Sequence, residues 1–170
     1  MFNTTNFERQ GNSEKDIQLE DNEQTREAII EISETALRSI KIFTPDLEHR
    51  LYDNELFIKN LLNFVRGNRH AQIQILVSDT SHSIRYGHRL LRLAQKLTSA
   101  MKIKITPEEY RIARISFLQV DQTDFIFKHD YSKKIAIQSS CKSRNIKLHE
   151  LFNPAWEQAE DALNSKTLNL

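Results

Sequence analysis

An α/β domain, a mixed β-sheet flanked by helices, is the fold class this sequence predicts, and three observations predict it. Short aliphatic runs (IKIF, IQILV, MKIKI) alternate with stretches of helical apolar spacing, the pattern of parallel strands joined by crossover helices. Later, RISFLQV and FIF flank Asp121-Gln122-Thr123-Asp124 as a hairpin turn, which adds antiparallel strands. Only three Gly and three Pro occur in 170 residues, too few for a turn-rich all-β sandwich.

The elements follow in order. Residues 1–27 carry seven acids against three bases and few residues that could pack, so 1–21 reads as a flexible acidic arm. Asn22 caps a helix to about Ser39, with Ile29, Ile32, Ala36 and Leu37 at helical spacing. Ile40 to Pro45 is a short buried strand. Asp53 or Asn54 caps a second helix that buries Leu56, Phe57, Leu61, Phe64 and Val65 and stops at Gly67. Ala71 to Leu97 is a strand (AQIQILV), a polar turn (SDTSHS) and one basic amphipathic helix (IRYGHRLLRLAQKL). Met101 to Pro107 is a third strand, and Lys134 to Gln138 follows the hairpin as one more. Leu148 to Leu163 closes the fold as a helix with Leu151, Phe152, Trp156 and Ala159 on one face. One domain therefore spans 22–165, with 166–170 a frayed tail.

Bulk properties exclude several classes. Net charge is +1, so no global field recruits nucleic acid or membrane. No apolar run approaches the roughly 20 residues of a membrane span. The opening MFNTTNFERQGNSEK has no apolar core of a signal peptide. The single Cys141 permits no internal disulfide and no Cys pair for zinc, and no two histidines stand at i, i+4 beside a carboxylate. No Gly-rich phosphate loop occurs. A cytoplasmic protein without cofactor or metal is the expectation these facts share.

Two clusters stand out from the residues alone. The first is the mouth after IQILV: Asp79 in the turn, with Arg85, His88 and Arg89 on the following helix. Backbone N–H groups at a helix start beside arginines suit a phosphate or carboxylate. A solvated basic helix face explains the same residues. The second is the run Lys128 to Lys147, with Lys133 and Lys134 at its centre and Tyr131 its one aromatic. Such a strip can bind nucleic acid through phosphates and stacking, and a solvated loop is the simpler reading.

The C-terminal pattern resembles a known superfamily. A strand ends in Asp (FLQVD, Phe117 to Asp121), a turn leads to a second strand (FIF), and the last helix carries Phe152-x3-Trp156. With the order of the earlier elements, this is similar to one lobe of the phospholipase D-like superfamily. More narrowly, IQILVSDTSHSIRYGHRLLRLAQKL resembles a small bacterial domain of unknown function with this lobe, sometimes joined to a GNAT-type acetyltransferase. The resemblance covers roughly residues 40 to 163. Active superfamily members carry His-x-Lys-x4-Asp, in which His forms a covalent phospho-enzyme and Lys neutralises the phosphate. Aligning Asp121 with that Asp puts Arg114 at the His position and Ser116 at the Lys position. No histidine of this chain has Lys two residues later, so phosphodiesterase activity is not implied.

What the resemblance implies is a catalytically silent binding or interaction module for an anionic ligand or a protein partner, with Arg114 and Asp121 at the vestigial site. Active single-lobe relatives pair, so a homodimer is expected. Two alternatives stand beside this reading. One is an enzyme of altered phosphate chemistry using His88, Arg85 and Asp79. The other is a nucleic-acid binder using Lys133 and Lys134.

Overall fold

The computed structural model describes residues 2–9, 16–111 and 113–164. The chain begins with α1 (Thr4–Arg9), β1 (Ile17–Leu19), α2 (Asn22–Glu34) and β2 (Ser39–Thr44). It continues through α3 (His49–Tyr52), α4 (Glu55–Gly67), β3 (Gln72–Val77), α5 (Ser81–Tyr86) and α6 (Arg89–Lys96). The last part holds β4 (Met101–Ile105), β5 (Ser116–Val120), β6 (Asp124–Lys128), β7 (Ala136–Ser139), α7 (Lys142–Gln158) and β8 (Glu160–Asp161).

One mixed sheet results, in the order β1-β7-β6-β5-β2-β3-β4-β8. β2, β3 and β4 are parallel, and β5, β6, β7 and β1 continue antiparallel from β2. Successive side chains of a strand point to opposite faces, and here each face has its own core. Ile40, Ile42, Ile73, Ile75, Leu118 and Val120 pack under α2, α4 and α6. Phe43, Leu76, Phe117, Phe125 and Phe127 pack under α7 and α1, where Phe152 and Trp156 stack on one another. The central strands are covered on both sides, which is why they read as near-continuous apolar runs.

Several boundaries differ from the sequence reading, each for a physical reason. The cap of α2 is Asp21, not Asn22: its side chain accepts from Gln24 N–H at 2.8 Å. Asn54 caps α4, accepting from Leu56 and Phe57 N–H. The basic helix expected through Gly87 is two helices. Gly87 takes φ +83°, a backbone most L-residues avoid, and His88 restarts the chain as the cap of α6. α7 starts six residues before Leu148, with Arg144 and Asn145 buried in its first turns. It ends before Leu163 because Glu160 and Asp161 pair with β4 as β8.

The largest difference lies in residues 2–9 and 16–21, part of the segment 1–21 expected as a flexible arm. Phe7 is buried against Phe127 and Phe125, at ring separations of 4.4 and 5.8 Å. β1 pairs antiparallel with β7, and Asp16 forms an ion pair with Arg144. Three residues in a polar stretch, Phe7, Leu19 and Asp16, are enough to dock it, because the partners they meet lie over a hundred residues away. The tail 166–170 falls outside the described residues.

Candidate functional site

In open α/β sheets ligands bind beyond the carboxyl ends of the parallel strands. β5 lies beside β2 and β6 beside β5, and the start of β5 and the end of β6 meet that same edge. The edge holds two neighbouring arrangements, one buried and one open.

The buried arrangement centres on Glu48. Its carboxylate accepts from Thr44 Oγ1 at 3.0 Å and Ser116 Oγ at 3.3 Å, and lies 3.8 Å from Lys128 Nζ. Ser116 and Lys128 are register partners on β5 and β6, so the sheet itself aligns them. Glu48 is reached through a strained turn: Leu47 and Glu48 have φ of +69° and +32°. Each such non-Gly residue costs on the order of 1 kcal/mol, so other contacts must hold the turn. Asp46 accepts from Glu48 N–H, and His88 Nε2 bonds the Leu47 carbonyl at 3.1 Å. His88 Nδ1 accepts from Leu90 N–H, so the proton sits on Nε2 and donates to Leu47. Burial pushes His88 below its ordinary value, which keeps it in that neutral form.

Burial raises Glu48 to about 7, against the opposing pull of Lys128, Thr44 and Ser116. A carboxyl whose folded value exceeds its unfolded value stabilises the fold at low pH and loses that contribution as pH rises. The window here runs from about 4.5 up through about 7. Relative to Glu48→Gln, which cannot ionise, the wild type should lose on the order of 3 kcal/mol across that window. Urea unfolding of both proteins at pH 4.5 and pH 8 checks this. A difference between them that does not change with pH would remove Glu48 as a titrating group.

The open arrangement is a groove of about 900 Å³ between α1, the 109–115 loop and α7. Arg114, His129 and Lys147 line it together with Glu109 and Glu150, over apolar walls that include Tyr110, Ile115 and Leu151. Arg114 is fixed in direction. Its guanidinium pairs with Asp130 at 3.3 Å and lies 5.2 Å over the Tyr131 ring. Asp130 is itself held by Ser132 N–H and Oγ. Arginine, histidine and lysine side chains beside apolar walls offer donors to an anion with an apolar or aromatic body, and the two carboxylates restrict where on the groove it can sit.

The residues expected from the sequence are not gathered at one point. Arg114 lines the groove, but Asp121 lies at the other end of β5. There its carboxylate accepts from Leu37, Arg38 and Ser39 N–H at 2.8, 2.7 and 2.9 Å, a structural role. His88 is buried as described. Arg89 pairs with Asp53 at 3.1 Å and reaches Glu55. Arg85 is exposed and lies over the neighbouring Tyr86 ring. Asp79 is exposed and holds Ser81 by its N–H and hydroxyl. His88, Arg85 and Asp79 thus form no shared pocket with the groove, because helix geometry turned His88 inward as a cap. The basic strip is likewise divided. Lys128 and Arg144 are buried in ion pairs, while Lys133 and Lys134 are exposed on the β6–β7 loop. Among the described residues no group of three His, Cys, Asp or Glu side chains stands close enough to hold a metal, and no helix is long and apolar enough to cross a membrane.

Sequence reasoning missed Glu48 and His129, and placed Lys147 only at the end of the basic strip. Glu48 sits in a Thr-Pro-Asp-Leu-Glu turn with no spacing signal. His129 and Lys147 are eighteen residues apart and converge only through α7 packing on β6.

Comparison with known proteins agrees with the fold. TrmBL2, an archaeal chromatin protein with a novel mode of DNA binding, superposes with a TM-score of 0.62 at 16% identity; the match covers 89% of this chain and 55% of that one. This chain thus spans about half of TrmBL2. NucT from Helicobacter pylori gives 0.60 at 9% identity, covering 86% of this chain and 98% of that one. Phosphatidylserine synthase from Haemophilus influenzae Rd KW20 gives 0.58 at 12% identity, covering 92% and 42%. No curated protein matches in sequence. A family model matches residues 21–168, nearly the whole chain. The chain is therefore a member of the family described as Domain of unknown function (DUF7931), built on a phospholipase D-like fold.

Proposed function

We propose that this protein is a non-catalytic phospholipase D-like module that binds an anionic ligand in the groove, with Arg114, His129 and Lys147 as its charged contacts. One observation carries the reading. The resemblance puts Arg114 at the position where active relatives keep their nucleophile, and Arg114 lines the groove while pairing with Asp130 and lying over Tyr131. Arginine cannot attack phosphorus, but it binds phosphate and carboxylate with directed hydrogen bonds. Ser116 stands at the lysine position, and the nearby ammonium of Lys128 is committed to Glu48. We further propose that the unit is a single domain to which α1 and β1 also belong, with α1 supplying one wall of the groove.

Bis(p-nitrophenyl) phosphate, an anion with aromatic arms, tests binding and turnover together. The expected result is saturable binding by calorimetry with no release of nitrophenolate. Arg114→Ala should weaken that binding roughly tenfold or more, the worth of one charge-assisted hydrogen bond. Nitrophenolate release abolished by His129→Ala would make the protein an enzyme instead. Absence of saturable binding would remove the groove as an anion site.

The DNA-binding neighbour favours one other reading, nucleic acid held by the exposed Lys133 and Lys134. It requires salt-dependent retardation of DNA or RNA that is lost when both lysines are neutralised.

A further inference from the structure

A second polar island lies under α7, apart from the groove. Lys41 sits within β2 and is buried. Its register partners on the flanking strands are Gln74 and Gln119, both uncharged. Lys41 Nζ is 3.0 Å from His149 Nδ1 and 3.0 Å from Asn153 Oδ1. Asn153 Nδ2 is in turn 3.0 Å from His149 Nε2. Three side chains thus close a ring of three contacts.

The protons of that ring can be counted. An ammonium only donates. If Lys41 donates to His149 Nδ1, the neutral imidazole carries its proton on Nε2, which then faces the Asn153 NH₂, donor against donor. Turning the Asn153 amide over moves the conflict to Lys41, where ammonium faces NH₂. A free amine removes it. His149 Nδ1–H donates to the Lys41 lone pair, Lys41 donates to Asn153 Oδ1, and Asn153 Nδ2 donates to His149 Nε2. All three contacts are satisfied only when Lys41 is uncharged. Burial acts in the same direction, bringing Lys41 down to about 8. Burial holds His149 down as well, against the pull of Glu150. No described carboxylate forms an ion pair with Lys41. The Phe152 ring, 5.4 Å away, is the one group that favours the cation.

We propose that Lys41 is a nucleophilic amine that captures small aldehydes as a covalent imine, with His149 and Asn153 as positioning residues. His149 and Asn153 are only half-buried on the outer turn of α7, so rotation of either side chain opens the amine to a small electrophile. The Lys41 lone pair forms the C–N bond, and one amine proton moves to the carbonyl oxygen to give a carbinolamine. That hydroxyl then leaves with the second amine proton as one water, giving the imine. No oxidant or further reactant is needed.

The wild-type chain suffices for the test. It is treated with acetaldehyde and sodium cyanoborohydride at pH 7, which fixes each imine as a stable ethylamine, and the peptides are followed by mass spectrometry over time. Lys41 should be modified at least about tenfold faster than the exposed Lys133 and Lys134, since an amine brought down from 10.5 to about 8 carries far more of its free form at pH 7. Its rate should level off above about pH 8, while theirs continues to rise. Asn153→Asp places a carboxylate beside Lys41, restores the ammonium and should slow Lys41 about tenfold without changing Lys133. His149→Gln, which removes the imidazole donor, should slow it as well and serves if the first variant does not fold. Lys41 reacting no faster than Lys133, or not at all, overturns the proposal. Unchanged Lys41 rates in the folded variants overturn the positioning roles.

Discussion

Arg144→Ala is expected to destabilise the fold by about 3–4 kcal/mol, the range for removing one member of a buried ion pair together with its volume. Arg144 is buried beneath the N-terminal segment. Its guanidinium holds Asp16 and bonds Ser139 Oγ at 3.0 Å, with the rings of Phe7 and Phe125 at 5.8 and 5.4 Å. One side chain therefore ties β1, the end of β7, α1 and α7 together. Its removal leaves Asp16 without its cation and opens space beside two aromatic rings. Asp16 keeps some contact with water, which places the effect below that of a sealed pair. Urea unfolding should show the loss as a lower midpoint. Hydrogen exchange should show faster amide exchange in β1 and β7 before the central strands β2 and β3. A variant within 1 kcal/mol of wild type would mean the N-terminal segment docks through Phe7 alone.

Asp121→Ala is expected to remove about 2–4 kcal/mol, because three backbone donors lose a charged acceptor at once. Leu37, Arg38 and Ser39 lead from α2 into β2, and the Asp121 carboxylate is what joins that entry to the end of β5. The backbone adds a second component. Asp121 and Gln122 have φ of +53° and +58°, a conformation that Asp and Asn tolerate better than Ala. Asp121→Asn keeps the tolerance and one acceptor oxygen, so it should recover roughly half the loss. Asp121→Gly keeps the backbone and loses every bond. The ordering Asp, Asn, Gly, Ala in thermal midpoint is the expected outcome. Equal midpoints for Asn and Ala would assign the whole effect to charge.

These two residues also show how sequence and structure divide the information. The place of Asp121 in FLQVD, at the aspartate position of the superfamily, suggests a ligand site, whereas in the structure its carboxylate holds the Leu37–Ser39 backbone. The same alignment put Arg114 beside it in sequence terms. The strand between them holds the two at opposite ends of β5, so only Arg114 reaches the groove. The helix through Gly87 was expected to be continuous because its apolar spacing is good on both sides. The spacing is right for each half, but Gly87 and the capping nitrogen of His88 divide it. That one capping interaction also removes His88 from any ligand site.

The alternation of apolar strands and amphipathic helices by itself determined the α/β class, the order of the central elements and the two-sided core, because burial on a sheet face or helix stripe follows residue spacing within a single element. Residue identity alone also determined that the sequence holds no His-x-Lys-x4-Asp motif. Only the tertiary structure decided which charges are free. Arg144 meets Asp16, Lys128 meets Glu48, Arg89 meets Asp53, and Lys41 meets His149 and Asn153 across separations of 36 to 128 residues. Charge has no periodicity that announces its partner. Whether a lysine or arginine is solvated, paired or neutral depends on what the fold brings within a few ångströms of it, and that is decided by packing rather than by neighbours in the chain.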